Sequence, residues 1–257
     1  MDEHRDPRAL GERQAHAVHE EHGVSRRVAL AGFVGLAALL AACTPDGATT
    51  PGTPTAAGSA TADLFEGVNT CVLTPEATEG PFYFDPERVR SDIREDRRGT
   101  RLDVAIRVQD SETCRPIPNA VVEIWHCDAE GVYSGYASGE EAAPERRSRF
   151  LRGAQVTDAD GVVRFTTVHP GFYQGRCVHI HAMVHLADTR VLTTQTMFPE
   201  DVNDAVFAAP PYAGRGERVR NTDDAIFREP MLMTMRRTGD GHLGVIAFAV
   251  DSDRDGR

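Results

Sequence analysis

The sequence predicts an all-β fold, an antiparallel β-sandwich with long loops and few short helices. Apolar residues alternate in at least six short segments, turn residues separate those segments, and no long stretch carries a helical period. "RLDVAIRVQD" (101–110) alternates Leu102, Val104, Ile106 and Val108, and "AVVEIWHC" (120–127) is a second apolar run rich in β-branched residues. "GVVRFTTV" (161–168) follows the turn "TDADG". "VHIHAMVHL" (178–186) and "RVLTTQTMF" (190–198) are separated by "ADT", a hairpin-length link, and "HLGVIAFAV" (242–250) is the last strand. Residues 200–230 are more polar, contain Pro and Gly, and read as an excursion with a helical turn or two.

The chain divides into three parts. In residues 1–42, Arg26 and Arg27 precede an apolar run from Val28 to Ala42. That run is shorter than the roughly 20 residues needed to span a bilayer and has the length of a signal-peptide core. "SRRVAL" resembles a twin-arginine export signal, and "LAAC" (40–43) resembles a bacterial lipobox whose Cys43 is lipidated. Residues 43–63 are rich in Pro, Gly, Thr and Ala and read as a flexible tether, leaving 64–257 as one domain. The expectation is an exported cell-surface lipoprotein that meets the membrane only through its anchor. The twin-arginine route carries folded proteins, which suits one that takes up its cofactor before export.

The net charge of −11 argues against nucleic acid, which demands basic surface. Beyond Cys43 the cysteines are Cys71, Cys114, Cys127 and Cys177. An even number in an exported chain suggests two disulfides, taken here as Cys71–Cys114 and Cys127–Cys177. A zinc site built from all four is the rival, but no pair has C-x2-C spacing.

The chemistry points to "GRCVHIHAMVH" (175–185). His179 and His181 lie on the same face of a strand, roughly 6–7 Å apart at the backbone, and two imidazoles so placed can converge on one ion. Two polar residues on a solvent-facing strand are the plainer reading. His185 lies about 13 Å further along than His181 and does not join the same ion easily. Tyr133 in "AEGVYSGY" and Tyr173 in "VHPGFYQGR" stand at strand ends or loops, where sites are usually built. A phenol with a pKa near 10 becomes a phenolate at neutral pH only beside a strong Lewis acid, and iron(III) is the hard candidate. Spacing alone does not select these two tyrosines, since packing at a loop rim is the commoner role.

Five pieces in order give a resemblance: "TPEATEGPFYFD" (74–85), "VVEIWHCDAEGVYS" (121–134), "FLRGAQVTDADGVVRFTTVHPGFY" (150–173), "GRCVHIH" (175–181) and "LTTQTMFPED" (192–201). The chain resembles the intradiol ring-cleavage dioxygenases, which include catechol and protocatechuate dioxygenases. The resemblance implies a non-haem Fe(III) held by Tyr133, Tyr173, His179 and His181. Tyr133 and His181 would be equatorial, Tyr173 and His179 axial. It implies a small aromatic diol and O2 as substrates and a muconate-type diacid as product. Arg176 would offset negative charge developing on the ring, Gln195 would place the ring, and Tyr173 would leave the metal as the diol binds. "EGPFY" matches the family's substrate mouth, making Pro81 and Tyr83 pocket candidates. Family members are often dimers, so a homodimer stays open.

Where the family usually has Pro between that Arg and the His pair, this chain has Cys177 and Val178. The ligand set suits catechol, protocatechuate, hydroxyquinol and lignin-derived diols alike. An acidic substrate would want a further cation, for which Arg97, Arg98, Arg152 and Arg164 are candidates. The rival is a β-sandwich lipoprotein that holds a metal or a polysaccharide without turnover. Arg176 and Gln195 in register with the ligands favour an enzyme.

Overall fold

The computed structural model describes residues 63–68, 71–136 and 148–253. Among these residues eight strands form two four-stranded sheets. They are β1 (Arg101–Asp110), β2 (Val121–Trp125), β3 (Arg152–Val156), β4 (Val162–Val168), β5 (His179–Leu186), β6 (Thr189–Met197), β7 (Thr234–Arg237) and β8 (Gly241–Val250). One sheet runs β4-β1-β8-β7, the other β3-β2-β5-β6. The sandwich is as expected, but it is not wholly antiparallel. β1 and β8 pair in parallel, Arg101 opposite Gly241 and Asp110 opposite Val250. A parallel pair needs a long crossover, and here the chain from β2 to β7 supplies it.

Alternation explains the main core. Leu102, Val104, Ile106 and Val108 of β1 meet Val122 and Ile124 of β2 and Ile180, Ala182 and Val184 of β5 between the sheets. Ala105 faces the other way and is covered by Leu64, Phe65 and Val68, so the start of the domain seals the back of its sheet.

Two strands carry no sequence signal. β3 reads "RGAQV", and its backbone pairing with β2 overrides its composition. Gly153 is required there because a Cβ would lie 2.7 Å from Ile93 Cγ2. β7 reads "TMRR" and is a short, mostly exposed edge strand, as edge strands often are. The polar excursion contains helix α1 (Glu200–Phe207), with Glu200 and Asp201 in its first turn where the helix dipole favours acid. Short 3-10 turns follow at Asn221–Asp223 and Glu229–Met231. Among the described residues no helix is long and apolar enough to cross a membrane. The segment 1–42, Cys43 and all but Asp63 of the tether lie outside the described residues.

Cys71 and Cys114 form a disulfide, with 5.4 Å between their Cα atoms. Cys127 and Cys177 do not; both are buried free thiols, which corrects the second expected bridge. Cys127 follows β2 and Cys177 precedes β5, neighbouring strands, but the side chains enter different clusters. Cys127 packs with Trp125, Tyr133 and Met183, whereas Cys177 packs with Met197 and Met231. Burial pushes the Cys127 thiol up to about 12 and raises that of Cys177 too, so neither is a ready thiolate. Reduction should therefore cost about 2–4 kcal/mol through the Cys71–Cys114 loop alone. Melting with and without a thiol reductant measures it, and an unchanged melt in Cys71→Ser would show that the bridge adds nothing.

Candidate metal centre

Alternation that sends even-numbered residues of β5 into the core sends His179, His181 and Met183 to the opposite face of the sheet. That face is not solvent, because β5 is buried on both sides through Val184. Cross-strand register lines up Arg152 of β3, Trp125 of β2, His181 of β5 and Gln195 of β6 in one row. Trp125 lies flat on His181, with ring centroids 4.9 Å apart and 9° between planes.

The four expected ligands come together as a closed circuit of rings. Centroids of Tyr133 and Tyr173 are 5.8 Å apart, Tyr173 and His179 5.6 Å, His179 and His181 4.8 Å, and His181 and Tyr133 6.2 Å. His179 Nδ1 is 2.7 Å from the Cys177 carbonyl oxygen. A carbonyl only accepts, so Nδ1 carries the proton and the Nε2 lone pair is free to face the site. That Nε2 lies 3.1 Å from His181 Nε2. Metal–nitrogen bonds of about 2.1 Å meeting at a right angle would put two nitrogens about 3.0 Å apart.

Burial pulls His179 down to about 4 and His181 well below the usual histidine range, which keeps both imidazoles neutral. Burial likewise raises both phenols. Tyr133 is 3% exposed, and its Oη is buried without a hydrogen-bond partner. A phenol orphaned in this way is costly unless something meets it. Among the described residues no group of three or more His, Cys, Asp or Glu side chains could hold a metal ion. The groups in this circuit able to become anionic are the two phenols, a donor set that fits a hard, highly charged cation.

Arg176 borders the circuit. Its Nη1 donates to Tyr173 Oη at 3.3 Å and its Nη2 to Gln195 Oε1 at 2.5 Å. Gln195 Nε2 donates in turn to the Thr78 carbonyl. Asp224, which sequence reasoning missed, fixes this arginine: Oδ2 accepts from Arg176 Nε and from the Cys177 N–H, both at 2.9 Å.

The segment 78–84 closes the outer side. A Cβ on Gly80, at φ +71°, would sit 3.2 Å from His181 Cε1. Phe82 stacks on Tyr133 at 4.5 Å and meets Tyr173 edge-on at 5.5 Å. Of the expected pocket residues, Pro81 is exposed, while Tyr83 packs on Trp125 and donates to Glu123. Phe82, not Tyr83, is the aromatic over the ligands, and its place inside "EGPFY" is its only signal in the sequence. His126 and His169 belong to the core, bound to Thr167 and Asn203, and His185 lies 3.3 Å from Glu123. Of the four candidate cations, Arg98 and Arg164 are exposed and Arg97 is paired with Asp96. Arg152 is buried beside Tyr133.

Two phenols and two imidazoles packed ring to ring on one face of a β-sandwich form a candidate metal site of mixed oxygen and nitrogen donors. A family model described as Dioxygenase matches residues 78–221, and the chain belongs to the intradiol ring-cleavage dioxygenase family. It is 32% identical over 145 residues to catechol 1,2-dioxygenase of Acinetobacter baylyi, covering 48% of this chain and 45% of that one. It is 34% identical to the protocatechuate 3,4-dioxygenase beta chain of Burkholderia cepacia, covering 46% and 54%. The chain thus spans about half the length of the curated relatives it matches. An intradiol ring-cleavage dioxygenase from Tetranychus urticae superimposes with a TM-score of 0.66 at 34% identity, over 72% of this chain and 98% of that one. The dioxygenase domain of a dioxygenase–carbohydrate-binding fusion from Streptomyces sp. SirexAA-E gives 0.52 at 31%, over 70% and 99%.

Proposed function

We propose that Tyr133, Tyr173, His179 and His181 hold a non-haem Fe(III), and that the protein opens the ring of a catechol-type diol between its hydroxylated carbons with O2, giving a muconate-type diacid. The closed circuit of four donor rings, with an orphaned phenol and two neutral imidazoles, carries this reading. When bound, the ferric ion supplies Lewis acidity that polarises the diol and draws electron density from its ring.

The chain supplies placement and charge. Phe82 and Trp125 give flat apolar walls that exclude water from the ligands. Tyr173 is the less buried phenol, so, held as a phenolate by the iron, its oxygen would be the one to take a proton from an incoming diol and swing aside as a neutral phenol. That movement frees Arg176 Nη1, which Asp224 holds in place to face negative charge developing on the substrate. Gln195, fixed by Arg176 and Thr78, limits how the ring can lie.

Purified protein loaded with ferric ion is expected to be burgundy, from phenolate-to-metal charge transfer, and to take up O2 with catechol. Stoichiometric iron in a colourless protein would overturn ligation by the tyrosines. Export and lipidation at Cys43 form part of the same reading. The Cys71–Cys114 bridge supports an oxidising compartment. Recovery from cells with Cys71 and Cys114 both reduced would count against export.

A further inference from the structure

Arg152 is unexplained by the fold. It is a guanidinium 1% exposed, on an edge strand, with no carboxylate among its hydrogen-bond partners in the described residues. Its Nε donates to Ser134 Oγ at 2.8 Å and its Nη2 to the Ser134 carbonyl at 3.0 Å, while Nη1 is buried without a partner. Phe84 covers it at 4.1 Å, and Tyr133 lies under it at 5.8 Å from the ring centroid. A buried charge without a counter-ion is normally costly, and a merely structural clamp on Ser134 would need no charge.

We propose that Arg152 is a positioning residue for Tyr133, fixing the backbone beside that ligand and setting a permanent positive charge against its phenolate. The counter-ion of Arg152 is then Tyr133 itself, as the phenolate it would be when bound to iron. Each phenol has its own arginine: Arg176 bonds Tyr173 directly, and Arg152 acts on Tyr133 through its ring and its neighbouring residue. With Phe84 over it and 1% of it exposed, Arg152 is placed to act through Tyr133 and not by touching the diol. This inference rests on the proposed tyrosine–iron centre.

The test compares ferric-loaded wild type, Arg152→Gln and Arg152→Lys by visible absorption. A positive charge beside a phenolate lowers the energy of the electrons it donates. Gln can still bond Ser134 but has no charge, so its charge-transfer band should move to longer wavelength. Lys keeps the charge and should keep the wild-type band, whatever it does to the melting temperature. A Gln variant with the wild-type band overturns the proposal, as does a Lys variant shifted as far as Gln; if Gln does not fold, Arg152→Met, also neutral, is read in its place by the same criterion. A KM change confined to acidic diols, with the band unmoved, would instead make Arg152 a substrate contact. No band in the wild type sinks the iron centre, whereas a wild-type band that no variant moves sinks only the role of Arg152.

Discussion

Tyr133→Phe is expected to empty the metal centre without harming the fold. The two effects should have opposite signs, which makes the variant informative. Tyr133 Oη has no hydrogen-bond partner in the buried site, so its removal breaks no bond in the metal-free protein. Deleting an unsatisfied buried hydroxyl removes a desolvation penalty of about 1–3 kcal/mol, so the metal-free variant should melt no lower than wild type and can melt higher. The stacking on Phe82 is retained, because it involves the ring and not the oxygen. The loaded protein, by contrast, loses one of two anionic ligands. Ring cleavage should fall by at least about tenfold, the scale of losing one strong electrostatic partner, and the burgundy colour should fade. Metal analysis, visible absorption and melting of the metal-free form measure these effects. Wild-type iron and turnover in the variant would remove Tyr133 from the site. A metal-free variant several degrees less stable would show that the hydroxyl has a structural role that the buried geometry does not suggest.

This behaviour could be anticipated only in part from the residue string, and the division has a physical basis. β1, β2, β4, β5, β6 and β8 were legible because each lies against the shared core, and burial of one face writes itself as period 2. β3 and β7 were not, since an edge strand is defined by backbone pairing that places little demand on side chains. The parallel β1–β8 pair was illegible for a similar reason: 130 residues (111–240) separate its strands, and no local signal spans them. Within the site, periodicity alone brings His179 and His181 to one face. It does not say that a covering segment buries that face, because Gly80 and Phe82 arrive from about 100 residues away. Tyr133 and Tyr173 stand in loops, where no period applies, and only the likeness of whole motifs to a family singled them out. Asp224 lies in "NTDD", an ordinary acidic turn; nothing local distinguishes it from Asp223 beside it, which does not reach Arg176. The second bridge failed because adjacency of strands was taken for adjacency of sulfurs.

Asp224→Asn should uncouple the arginine from the site and change how stability depends on pH. The Asp224 side chain is 2% exposed. Burial pushes its carboxyl up, but N–H donors from Cys177 and Ile226 and the Arg176 guanidinium outweigh burial and hold it down to about 2. The unfolded chain titrates near 3.9. A carboxyl depressed on folding contributes stability that is fully present above the unfolded value and lost as pH falls through the folded one. The window is therefore about pH 4 down to 2. At neutral pH the Asn variant leaves Arg176 without its counter-ion, and breaking a buried pair from one side costs about 3–5 kcal/mol. Arg176 keeps 15% of its side chain exposed, which puts the expected loss toward the lower end. Denaturant unfolding of both proteins at pH 7 should show that gap, and it should narrow toward zero as pH falls from 4 to 2, where wild-type Asp224 becomes protonated and resembles Asn. Catalysis should suffer by a separate route. Arg176, no longer held at Nε, loses its aim at Tyr173 and Gln195, so kcat should fall more than KM rises, as when a transition-state contact is lost. If the two proteins are equally stable at pH 7, or the gap is the same at pH 2, the carboxylate does not anchor the arginine.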